Sequence, residues 1–62
     1  MIYQSIEKID DTWYKLIDEH GEVSFYPQNS IILVNDESGL LSLKTVSSRK
    51  TIGLVPVPNW ME

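Results

Sequence analysis

Apolar and polar residues alternate along much of this chain. Leu41, Leu43 and Thr45 stand against Ser42, Lys44 and Val46, and Val23 and Phe25 stand against Ser24. A period of two puts successive side chains on opposite faces of a strand, so each stretch predicts a strand with one buried face. Thr51–Val55 resumes a strand after the polar Ser47–Lys50, and Pro56 ends it because proline has no N–H for a ladder. Ile31–Val34 is an unbroken apolar run, which predicts a strand covered on both faces. Turn clusters separate these runs: Asp18–Gly21, Pro27–Ser30 and Asn35–Gly39.

Residues 2–20 support two patterns. Ile2, Ile6, Ile9, Trp13, Leu16 and His20 recur at helical spacing, with Gly21 where a helix C-cap would place it. Against that stand the turn-like Asp10-Asp11-Thr12, the isoleucine and aromatic content, and the lack of alanine and of a capping box. The strand reading is favoured. The expected strands are therefore 2–9, 12–17, 22–26, 30–35, 40–46 and 51–55, with a short helical turn near 56–59. The expected fold class is all-β: one small antiparallel barrel of five to six short strands over 1–62.

The chain has 62 residues, 42% hydrophobic, and no cysteine. A domain this small buries only about 60% of its unfolded surface. Its core alone rarely supplies more than roughly 3–5 kcal/mol, here with no disulfide or thiolate–metal staple. No apolar run approaches a membrane span, and no basic segment precedes an apolar one at the start, so a cytoplasmic protein is expected. Charge is lopsided. Residues 1–37 carry eight acids against Lys8 and Lys15, a net −6, while Lys44, Arg49 and Lys50 outweigh Glu62 in the rest. Acidic surfaces repel phosphate backbones, which argues against nucleic acid as a partner.

Catalytic signatures are missing. Asp10/Asp11, Asp18/Glu19 and Asp36/Glu37 fall in turns, where water screens carboxylates instead of splitting their pKa values. His20 is the single histidine, the three glycines are isolated, and neither a metal set nor a phosphate loop can be assembled. No enzyme, cofactor or metal is expected. The aromatics say more. Phe25, in an alternating strand, reads as core. Trp13 and Tyr14 are adjacent, so only one of them can be buried. Trp60, behind Pro56 and Pro58, reads either as a lid on the core or as a surface platform.

From Glu22 onward the chain resembles a Src-homology-3 domain. Glu22–Phe25 (EVSF) is similar to the family's Glu-Leu-Ser-Phe after the RT loop. Ser30–Ser38 resembles the next strand and the acidic n-Src loop. LSLKTVSSRKTIGLVP resembles the following hairpin and its Gly-x-Ile/Val-Pro signature, and NWME the closing Asn-Tyr-Val-Glu. The resemblance implies a barrel that binds extended proline-rich peptides in an aromatic groove. It implies ligand-binding roles for Pro56, Asn59 and Trp60, with Glu22, Asp18 and Glu19 as acids meeting a ligand's arginine. Leu40-Leu41 stands where the family has its tryptophan pair, the Val57-Pro58 step is extra, and the Ala-Leu-Tyr-Asp-Tyr motif has no clean counterpart. The implied groove is therefore atypical or degraded.

The functional expectation is a non-catalytic module that binds another protein or peptide. The alternative is a small acidic inhibitor or immunity-type protein, of the sort phages and mobile elements encode, suggested by the short, complete-looking chain and its one-sided charge.

Overall fold

The computed structural model describes residues 1–61. Six strands follow one another: β1 (Tyr3–Lys8), β2 (Trp13–Asp18), β3 (Val23–Pro27), β4 (Ile31–Asn35), β5 (Leu40–Thr45) and β6 (Thr51–Pro56). A 3-10 turn over Gln28–Ser30 links β3 to β4, and a second covers Asn59–Met61. Residues 2–20 thus form strands and not a helix, and the short helical turn starts at the last residue of the expected 56–59 stretch, covering Asn59–Met61.

The strands make two antiparallel meanders of three, β1-β2-β3 and β4-β5-β6. They meet along β1 and β6, where Ile2 forms a parallel bridge with Leu54 and the Leu54 N–H donates to the Met1 carbonyl at 2.9 Å. Among the described residues no ladder joins β3 to β4, which leaves β3 as a sheet edge.

Short-range polar contacts fix the turns. Asp10 accepts the N–H groups of Thr12 and Trp13, and Asp18 those of His20 and Glu22. Asp36 accepts the Ser38 N–H and hydroxyl, which holds its carboxyl below the ordinary range. An aspartate that hydrogen-bonds backbone a few residues on stabilises a turn locally. Each acidic pair is therefore turn chemistry.

Tyr3, Ile6, Leu16, Ile31, Leu41, Leu43 and Val55 are the buried core, drawn from both sheets. Gly53 is needed where β6 passes Tyr3: a Cβ there would lie 2.5 Å from the Tyr3 ring and 2.9 Å from the Met1 carbonyl. Burial pushes the Tyr3 phenol above its ordinary value, with Tyr26 and then Asp18 adding to the effect.

Two sequence expectations are corrected. Phe25 is not core; it is 56% exposed. Its alternation with Ser24 is real, but register decides which face points inward. Leu16, 1% exposed, pairs with Ser24, so the Ser24/Tyr26 face of β3 lies toward the core and Val23 and Phe25 lie outside. The Ile31–Val34 run is likewise not covered throughout, because β4 ends an open sheet: Ile31 is buried and Val34 exposed.

Candidate functional site

Strand parity divides the first sheet into two faces. Ile6 and Leu16 are cross-strand partners and both are buried, so their face looks into the core. Trp13, Lys15 and Ile17 of β2 and Val23, Phe25 and Pro27 of β3 then share the outer face, with Trp13 opposite Pro27, Lys15 opposite Phe25 and Ile17 opposite Val23. Ile9 adjoins them from the β1–β2 turn. Ile9, Trp13 and Phe25 line an open hollow of about 400 Å3 whose walls are almost wholly apolar. Ile9, Trp13, Val23 and Phe25 are all exposed, four of the ten large apolar side chains exposed among the described residues. Grouped apolar side chains such as Ile9, Trp13 and Phe25 mark an interaction site more often than does a scattered leucine or valine.

Backbone geometry adds a second feature. The Asp18 N–H donates to the Glu22 carbonyl and the Gln28 N–H to the Thr12 carbonyl, one at each end of the β2–β3 ladder. Hydrogen-bonded pairs alternate in an antiparallel ladder, so Ser24 and Tyr26 bond to β2 while Val23, Phe25 and Pro27 direct their backbone groups away from it. Pro27, with no N–H, occupies the one kind of strand position where nothing is lost by that. Its carbonyl accepts the Ser30 hydroxyl at 2.9 Å. Val23 and Phe25 are left presenting backbone donors and acceptors along the free edge.

The residues singled out by sequence lie elsewhere. Trp60 stacks on Tyr14 with ring centroids 6.2 Å apart and planes 14° from parallel. Its indole N–H donates to the Ile6 carbonyl at 3.3 Å, yet 43% of the residue stays exposed. Trp60 is thus both a lid on the β1–β2 side and a surface aromatic. Of the adjacent pair, Tyr14 turns inward to meet it while Trp13 faces out. Pro56 and Asn59 are exposed, Pro56 at the end of β6 opposite Leu40 and Asn59 opening the last 3-10 turn.

Asp18, Glu19 and Glu22 cluster at the β2–β3 hairpin, where Gly21 takes a φ of 83°. The Asp18 carboxylate is occupied with the turn itself. Asp18 lies four residue steps along β2 from Tyr14, roughly 13 Å at the usual rise. The acids and Trp60 therefore lie toward opposite ends of that strand, and the structure does not bring them into one cluster. Leu41, at one of the two positions aligned with the family's tryptophan pair, is fully buried in the core.

Sequence reasoning missed the outer face because it assigned Phe25 to the core. The available signal was Pro27: a proline inside a strand marks an edge. No family model matches the chain, and no curated protein or solved structure matches it. No helix among the described residues is long and apolar enough to cross a membrane.

Proposed function

We propose that this protein is a non-catalytic interaction module that binds another protein or peptide through the outer face of its first sheet. The observation that carries the proposal is the grouping of Ile9, Trp13 and Phe25, exposed around one hollow, with exposed Val23 on the same face beside an unpaired sheet edge. Aromatic side chains in an apolar depression are the groups that anchor protein interfaces. The six short strands followed by a closing 3-10 turn support a divergent Src-homology-3-like barrel as the scaffold. In this reading the proline-peptide groove is not the working surface. Leu41 lies in the core where the family has tryptophan, and Trp60 is engaged with Tyr14 and Ile6.

A small acidic inhibitor that blocks a basic target is the second reading, and charge placement is consistent with it. Residues 1–27 hold six acids against two lysines, a net −4, while residues 28–62 balance three acids with three bases. The chain's whole net charge of −4 thus sits on the half that bears the apolar face, where it would speed encounter with a basic surface.

The test is capture of binding partners, followed by mapping of the bound surface through amide shift changes in the labelled protein. Shifts clustered on β2, β3 and Ile9 support the reading. Shifts confined to Trp60, Pro56 and Asn59 would move the site to the groove implied by the family resemblance.

A further inference from the structure

We propose that the β3 edge and the adjoining hollow take an extended, basic segment of a partner protein, added to the first sheet as a further strand. The inference rests on the outer-face reading above and gives its partner a chemistry.

Three observations converge on that occupant. The first is the free edge itself. Val23 and Phe25 direct their backbone groups away from β2, and β3 has no strand on that side among the described residues. Donors and acceptors repeating at every second residue fit the backbone of another extended chain, and pairing of this kind recognises a peptide largely independently of its sequence.

The second is that Phe25 belongs to both features. Its backbone lies on the edge, while its ring walls the hollow shared with Ile9 and Trp13. A strand paired to β3 would carry alternate side chains on the outer face. One large apolar side chain on that face would reach the hollow past the Phe25 ring and supply side-chain selectivity.

The third is charge. Glu19 and Glu22 are exposed at one end of β3, and Asp10 and Asp11 are exposed beside Ile9 and Trp13. Residues 1–27 carry a net −4, and these four acids flank the apolar patch at the two turns. This disfavours a second copy of the same chain, whose matching face would bring like charge against like. It favours lysine or arginine between the apolar residues of the incoming strand. Lys15, central on the outer face opposite Phe25, leaves the acids in clear excess.

The test uses an acetylated, amidated heptapeptide that alternates lysine with valine and phenylalanine, titrated into the isotopically labelled protein. The Val23 and Phe25 amides should shift most, with binding that weakens by about tenfold or more between low and moderately high salt. A version with glutamate for lysine should bind at least about tenfold more weakly, because its charges meet the same sign. A version N-methylated at every backbone amide, which offers no donor from either edge, should lose binding. Phe25→Ser should also lose binding while keeping the wild-type spectrum elsewhere, since the side chain is exposed.

Several results would overturn the inference: no shift at Val23 and Phe25 with the lysine peptide at millimolar concentration, equal binding of the glutamate or N-methylated peptide, or shifts centred on Trp60. Concentration-dependent broadening of Val23 and Phe25 without peptide would assign the edge to a second copy instead. If a captured partner binds the outer face through an acidic or helical segment, the interaction-module reading stands and this inference falls.

Discussion

Trp60 lies over Tyr14, 46 residues earlier in the chain, with its ring nearly parallel and its indole N–H on the Ile6 carbonyl. That contact ties the chain's last turn to the first sheet. An aromatic pair contributes about 0.5–1.5 kcal/mol beyond its buried area, and a hydrogen bond a further 0.5–1.5 or so. Trp60→Ala should therefore cost about 1–3 kcal/mol in urea unfolding yet leave a β-type far-UV spectrum at low temperature. Trp60→Phe keeps the stack and loses only the donor, so its loss should be the smaller of the two. Equal losses would show that the ring stack contributes nothing.

Gly53 faces the opposite constraint. The Tyr3 ring that a new Cβ would strike is itself buried, and the nearby Met1 carbonyl bonds to Leu54. Neither neighbour can yield freely. Overpacking of this kind costs typically about 1–3 kcal/mol, most of the margin of so small a domain. Gly53→Ala should lower the thermal midpoint sharply, and Gly53→Val should abolish cooperative unfolding. An unchanged midpoint for Gly53→Ala would mean that β6 runs farther from Tyr3 than described.

Tyr3 also predicts a response to pH. Its phenol has an ordinary value of 10.0 and is raised in the folded protein, chiefly by burial. The folded state thus holds the proton more tightly than the unfolded chain does. That contribution is fully present below about pH 10 and is lost as pH rises through the folded value. Unfolding free energy measured from pH 8 to 11 should fall at the alkaline end, and Tyr3→Phe should flatten the fall. An equally steep fall in the variant would assign the effect to other groups.

Much of the fold was legible in the sequence because the controlling signals are local. The period-two runs found their strands, and the aspartates of the Asp10, Asp18 and Asp36 pairs marked turns that their own side chains stabilise. The face of each strand was not legible. Alternation shows that Val23 and Phe25 share a side, but only the pairing of Ser24 with Leu16 turns that side outward. The coverage of Ile31–Val34 likewise depends on β4 lying at an edge, a property of sheet order and not of residue type. For Trp60 the sequence leaves lid and platform as alternatives; in the fold it contacts Tyr14 and Ile6 and stays partly exposed.

In this reading Phe25 serves binding and not folding. Side chains this exposed, away from caps and buried networks, change stability little, so Phe25→Ala should shift the unfolding free energy by less than about 1 kcal/mol. The same truncation should remove an interface anchor, which costs about 2 kcal/mol or more. The decisive measurement is calorimetric titration of a captured partner into wild type and Phe25→Ala, with the unfolding midpoint of each recorded alongside. At least about a thirtyfold loss of affinity is expected, with a nearly unchanged midpoint. Wild-type affinity in a stably folded Phe25→Ala, or unfolding of that variant, would contradict it.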